Sequence, residues 1–212
     1  MQIPCFKKNS ITLLFFLGVA FPNLPAQTPD WQIDHRAQSI RLGKLGLIQL
    51  TDSLTAPYAT DREKVRAIFS WITDNIAYDC HFQNARDPLM DDVDRLTNDI
   101  ERRLAVVLKN KRALCGGYAF LFKTMCDLAE VQARVVEGKA YGGHTPAEGH
   151  AWNAVRLDDQ WYWLDATWSS GTCSNGRFQQ TQQESWYLLP IARMLRSHRP
   201  AEDFWLEEKG SE

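Results

Sequence analysis

The chain has 212 residues, a formal charge of −2 at pH 7 and 44% hydrophobic residues. That length suits a compact domain whose core is large enough to fold without a disulfide scaffold. A near-neutral balance gives no reason to expect nucleic acid as a partner.

The chain opens with a basic pair, Lys7 and Lys8, followed by the apolar run Ile11–Ala20 and small residues at Ala20 and Ala26. This pattern predicts a secretory signal over residues 1–26, cut after Ala26. The run is too short to cross a bilayer comfortably. The mature protein is therefore expected to be secreted or periplasmic, and free of the membrane after cleavage. Cys5 precedes the apolar run, so a lipid-modified cysteine at the cleavage point is not expected. Cys80, Cys115, Cys126 and Cys173 remain. An even count in an oxidising compartment invites disulfides, and Cys80 with Cys173 is a candidate pair that spacing alone does not establish.

Residues 27–59 form an N-terminal helical segment, with helix predicted over 33–55, loosened by Gly43 and Gly46. The segment is placed to regulate a cleft. A second helix is predicted from Asp61 to Ile76. Thr60 and Glu63 match a capping box, and Val65, Ile68, Phe69, Ile72 and Ile76 recur on one face. The polar stretch 84–98 reads as loop. Its acidic run, Asp91, Asp92 and Asp94, lacks the spacing of a calcium loop and reads as solvated surface. A short helix is predicted over 99–109.

At Leu114 the sequence reads LCGGYAF. A helix is predicted from Cys115 to Glu130, with a broad apolar stripe that demands burial. The period then changes to that of strands, at 133–141, 150–157 and 161–168. A three-residue turn at 158–160 is expected to join the last two. A buried helix followed by consecutive strands reads as α+β.

Three polar side chains fall at element ends. Cys115 starts the central helix, His150 opens a strand, and Asp165 lies near the end of the next. The expected turn pairs residues whose numbers sum to about 318, which sets Asp165 opposite Asn153 and His150 opposite the region of Trp168. His150 and Asp165 then meet only if the register is shifted. The types suit one chemistry. A thiolate attacks a carbonyl, and a helix N-terminus stabilises the anion. Histidine moves the proton, and a carboxylate fixes its tautomer. The Cys115 amide can donate to an oxyanion, and Gly116 and Gly117 leave room for a substrate backbone. Singly, each residue has a plainer reading: a small buried hydrophobe, a satisfied strand histidine, a turn cap. A metal site from Cys80, His81 and His144 or His150 matches no standard arrangement.

The blocks ALCGGYAFLFKTMCDLAEVQARVVEGKAY and GHAWNAVRLDDQWYWLDATW resemble the transglutaminase-like superfamily of papain-type cysteine enzymes. IFSWITDNIAYDC at 68–80 and WYLLPIARMLRSHRPAEDFWL at 186–206 resemble its kyphoscoliosis-peptidase-like branch. The similarity covers about residues 60–206, which defines the domain and leaves 207–212 as a tail. The resemblance implies a central nucleophile helix packed on an antiparallel sheet. It implies Cys115 as nucleophile, His150 as general base and acid, and Asp165 as orienting carboxylate. It also places Trp152 in the wall of the cleft and Trp168 in the core. No glutamine before Cys115 stands out as the one that completes the oxyanion hole in papain-type proteases, and Tyr78 is a candidate second donor, its plainer reading being a packing tyrosine. The chemistry calls for no cofactor and no metal. A peptide or protein substrate is expected, cleaved at a peptide or amide bond. The alternatives are amine transfer to a protein glutamine, or a peptide-binding module without catalysis.

Overall fold

The computed structural model describes residues 27–43, 45–80, 100–142 and 149–207. The predicted signal, the 84–98 loop with its acidic run, and His81 and His144 lie outside the described residues.

The helix expected over 33–55 is two helices, α1 (Asp30–Ser39) and α2 (Leu47–Thr55). α1 ends where Ile40 turns extended, at φ −78° and ψ 116°, and in the link to α2 Gly43 takes φ 51°, a left-handed conformation. Ile33, Ala37, Leu50 and Leu54 are buried in the core that α3 (Asp61–Asn75) also supplies. The capping box of α3 forms in both directions, Thr60 accepting from the Glu63 amide and Glu63 from the Thr60 amide. Arg66 is also buried on α3, held by Asp34 and Glu184 at 2.6 Å each. Burial of a charge requires such paired partners.

The short strand β1 (Ala77–Tyr78) runs parallel to β2 (Arg112–Ala113), which follows α4 (Ile100–Asn110). Then comes α5 (Cys115–Leu128), whose Tyr118, Leu121, Phe122, Met125 and Cys126 are buried. The strands β3 (Ala133–Ala140), β4 (His150–Leu157) and β5 (Gln160–Leu164) follow. Next are α6 (Ala166–Ser170) and the hairpin of β6 (Gly171–Ser174) and β7 (Arg177–Gln180). A single 3₁₀ turn at Glu184–Trp186 leads to β8 (Leu189–Pro190), α7 (Ile191–Met194), β9 (His198–Pro200) and α8 (Phe204–Glu207).

The main sheet has the order β8-β5-β4-β3-β9, with every neighbouring pair antiparallel. Alternation along β4 sends successive side chains to opposite faces. Val155 and Leu157 join the core shared with α3 and α5, whereas Trp152 and Ala154 join Trp163, Met194 and Trp205 in a second core. The fold class is therefore the expected α+β arrangement of a central helix against an antiparallel sheet.

Two local expectations are corrected. The β4–β5 connection is two residues, not three: Asp158 and Asp159 take φ 51° and 65°, as a tight primed turn requires, and Gln160 already pairs with Leu157. The strand expected over 161–168 stops at Leu164, because Asp165 caps α6. The candidate pair Cys80–Cys173 is a disulfide, which ties the end of β1 to β6. Among the described residues, no helix is long and apolar enough to cross a membrane.

Candidate active site

The site is built where α5 begins. Its N-cap, Leu114, is extended at φ −87° and ψ 177° and offers no side-chain cap. The first amides of a helix have no intrahelical acceptor, and their partial positive charge collects at Cys115. The two glycines do different work. A Cβ on Gly117 would lie 2.7 Å from the Ala113 Cβ and 3.3 Å from Val107 Cγ2, so its bareness lets α5 pack against β2 and α4. A Cβ on Gly116 would meet nothing within 4 Å. That open side belongs to a cavity of about 550 Å³, bordered by Cys115, Gly116, Leu104, Val107, Phe120, Asp79 and Arg112.

The neighbouring elements bring in the partners. Asn153 on β4 donates to the Ala119 carbonyl at 2.9 Å, which pins the strand to α5. His150 opens β4, and its ring and the Ala151 amide lie close enough to Cys115 to draw the thiol pKa down. The His150 Nε2 lies 2.7 Å from Asp165 Oδ2, which leaves Nδ1 as the ring nitrogen for sulfur. The register explains how Asp165 gets there. Asn153 pairs with Leu164, not with Asp165 as the longer turn had implied. The chain then leaves the strand, and Asp165, fully buried, turns its carboxylate toward His150. Its other oxygen accepts the Trp168 amide at 3.0 Å.

The charges are mutually supporting. Burial alone would raise the Cys115 thiol, but the His150 hydrogen bond and charge outweigh it, and the thiol sits below its ordinary value. Burial would lower His150, yet Asp165 and Cys115 push it up to about 10. Burial would raise Asp165, but His150 and His198 hold it well below the carboxylate range. Cys126, fully buried, is pushed far up by desolvation. The two thiols therefore differ in environment: one is partly exposed beside an imidazole, the other is sealed in the core.

Tyr78 pairs with Ala113 across β1–β2, two residues before Cys115. Burial raises its hydroxyl above the ordinary range, and the Cys115 and Asp165 charges add to the effect. A raised value keeps the hydroxyl protonated and able to donate. Trp152, expected in the cleft wall, is only 1% exposed and packs edge-on against Trp163 in the second core. Trp168, expected in the core, is instead half-buried and lies over His150 at 5.4 Å between ring centroids. Helix α6 redirects it there, an outcome that a continued strand would not produce.

Sequence reasoning missed His198, which is fully buried with its Nε2 3.2 Å from Asp165 Oδ2. Its only signal was a His-x-Pro turn in the tail. His150, Asp165 and His198 place three donor atoms within 4.8 Å of one another. Both imidazoles spend Nε2 on the same carboxylate oxygen, which makes this a hydrogen-bonded set. Cys80 is unavailable as a metal ligand because it is oxidised.

A helix bearing a thiol at its N-terminus, packed on an antiparallel sheet that supplies an imidazole and a carboxylate, is the architecture of the papain-like class. More narrowly, the chain belongs to the Transglutaminase-like superfamily, whose core family model matches residues 48–166. It is 33% identical over 171 residues to human kyphoscoliosis peptidase, covering 76% of this chain and 24% of that protein. The mouse kyphoscoliosis peptidase is 31% identical over 183 residues, covering 82% of this chain and 26% of the relative. These relatives set the chain in the kyphoscoliosis-peptidase-like branch, of whose members it spans about a quarter of the length. Among solved structures, a proposed cysteine protease from Cytophaga hutchinsonii aligns with a TM-score of 0.46 and 18% identity, over 85% of this chain and 48% of that one.

Proposed function

We propose that the protein is a cysteine peptidase or amidase that works through an acyl-thioenzyme on Cys115. The observation that carries this reading is the His150 ring, 2.7 Å from Asp165 Oδ2 on one side and close enough to Cys115, at the start of α5, to lower its thiol pKa. The resting pair is a thiolate and an imidazolium, favoured by the helix N-terminus and the buried carboxylate. Sulfur attacks the carbonyl carbon, and the oxygen takes the negative charge. The Cys115 amide and the Tyr78 hydroxyl are the donors suited to receive it. The C–N bond then breaks, and His150 gives its proton to the leaving amine. Water attacks the thioester, His150 takes the water's proton, and the acid departs with the thiolate restored. Asp165 keeps the ring aimed throughout. Gly116 leaves the substrate backbone space beside the sulfur. The cavity of mixed apolar and charged lining is the place for a peptide side chain.

The Cys80–Cys173 disulfide supports action in an oxidising compartment outside the cytoplasm. The test is incubation with a peptide library, with and without a primary amine, read by mass spectrometry. Cleaved peptides that vanish with Cys115→Ala support hydrolysis. Amine adducts in their place would make the protein a transferase, and neither product would make it a binding module.

A further inference from the structure

Asp165 receives a second imidazole that the reaction above does not use. His198 opens β9, is fully buried, and lies 3.2 Å from Asp165 Oδ2 through Nε2 and 2.8 Å from Ser197 Oγ through Nδ1. An ionised carboxylate only accepts, so Nε2–H donates to it, while Nδ1 faces the Ser197 hydroxyl, whose single hydrogen is shared between it and the Met194 carbonyl oxygen at 3.2 Å. The ring is enclosed by Trp168, Trp152 and Trp186, at 4.6, 4.9 and 5.5 Å between centroids. The backbone is also arranged for this approach. Gly138 pairs with His150 on one side and with Pro200 on the other. A Cβ there would lie 2.1 Å from the Arg199 carbonyl oxygen and 2.8 Å from Pro200 Cα. Only a glycine lets β9 close on β3, and across β3 the His198 ring comes within 5.6 Å of the His150 ring, centroid to centroid.

We propose that His198 is a positioning residue, whose Nε2–H holds Asp165 Oδ2 on the His150 ring and keeps that carboxylate ionised in its buried site. The inference rests on the reading of Cys115, His150 and Asp165 as catalytic. Its physical basis is desolvation. A buried carboxylate with one imidazole partner is drawn to take the shared proton and neutralise both groups. A second fixed donor weakens its basicity and leaves the proton on His150. The titratable groups facing Asp165 are His150 from β4, His198 from β9, Tyr78 from β1, and Cys115 and Tyr118 from α5. His198 supplies a hydrogen bond where both tyrosines carry only an electrostatic influence.

The experiment compares the full chain with His198→Leu and His198→Gln. Iodoacetamide alkylation of Cys115 is followed across pH, beside kcat and KM on a peptide identified as above. In His198→Leu the acid limb moves to higher pH by about one unit, about tenfold slower alkylation at a fixed pH on that limb. In the same variant kcat falls and KM holds. Glutamine, whose amide nitrogen reaches where Nε2 lies, restores most of both. A His198→Leu profile that superimposes on wild type overturns the inference while the catalytic reading stands. A wild-type Cys115 that alkylates like an ordinary thiol overturns the catalytic reading first, and the inference with it. If His198→Leu does not fold, long-range ¹H–¹⁵N spectra of the unsubstituted protein decide. Protonated His198 Nε2 supports the inference, and Nε2 without a proton overturns it.

Discussion

Asp165 accepts the Trp168 amide on Oδ1 and faces His150 with Oδ2, so one carboxylate both starts helix α6 and orients the imidazole. The two tasks separate by substitution. Asn at 165 keeps an oxygen for the cap but turns an NH₂ toward His150, which forces the unproductive tautomer. Alkylation of Cys115 in Asp165→Asn at pH 6 should fall about 10²-fold, since a thiol of ordinary pKa is mostly protonated there. The thermal midpoint should stay near wild type. Asp165→Ala should lose the alkylation and also about 1 kcal/mol or more of stability with the cap. Equal melting of the two variants would show that the cap contributes nothing.

The shifted groups fix the pH profile. Cys115 lies below its ordinary value and His150 is raised to about 10. The ion pair is therefore present between the lowered thiol limb and about pH 10, and kcat/KM should plateau there. His150 is raised in the folded state, so its stabilisation is complete below the unfolded imidazole value and fades as pH rises through about 10. Cys126 should react with iodoacetamide only on unfolding. A single alkylation limb near pH 8.5–9 for Cys115 would contradict the pairing.

Glu63 predicts an acid-side effect far from the cleft. Burial opposes its ionisation, but hydrogen bonds from Thr60 and Thr28 outweigh that and hold it at about 2. Its folded value is depressed, so its stabilisation is present above the unfolded value and is lost as pH falls from about 4.5 to about 2. Urea midpoints of Glu63→Gln and wild type should differ at pH 6 and converge toward pH 2. A gap independent of pH would rule out the ionised capping box as its source.

Adjacent glycines should answer differently to alanine. Gly117→Ala forces a methyl to 2.7 Å from the Ala113 Cβ, and overpacking of this kind costs about 1–3 kcal/mol. Gly116→Ala meets open space, so its unfolding midpoint should hold while KM for a peptide rises. The measurements are chemical denaturation and steady-state kinetics. Matching destabilisation in both would show that the helix start, not local contact, decides.

The disulfide should matter for stability. Replacing Cys80 and Cys173 with serine frees a link between residues 93 apart in sequence, a change typically costing about 2–4 kcal/mol. The double variant should unfold at lower urea than the oxidised wild type and match the reduced one. Identical midpoints would show that the bond is dispensable.

What the sequence could and could not reveal follows from the range of each signal. The α3 capping box and the apolar stripe of α5 are set by near neighbours, and both appear as read. Cys115, His150 and Asp165 were nameable because their types stand at element boundaries. The contact between the last two was not derivable, because it depends on one residue of turn length and on the chain leaving β5 at Leu164. The break between α1 and α2 turns on an extended backbone at Ile40 and a positive φ at Gly43, which local spacing does not announce. Trp168 left its expected place because α6 rotates the chain after Asp165, and Trp152 left its own because β4 turns that side chain into the second core. His198 was not visible because its meaning arises from β9 closing on β3, a pairing of residues about 60 apart along the chain.

The distribution of sulfur has one more consequence. Cys126 lies about three turns along the same helix from Cys115, about 16 Å of axis, beyond the span of any disulfide, and it is enclosed by the core. Among the described residues the Cys115 thiol thus has no internal mate. An oxidising milieu can close the 80–173 staple and still leave the Cys115 sulfur, without a partner among the described cysteines, open to capping by a small external thiol that a reductant then strips away.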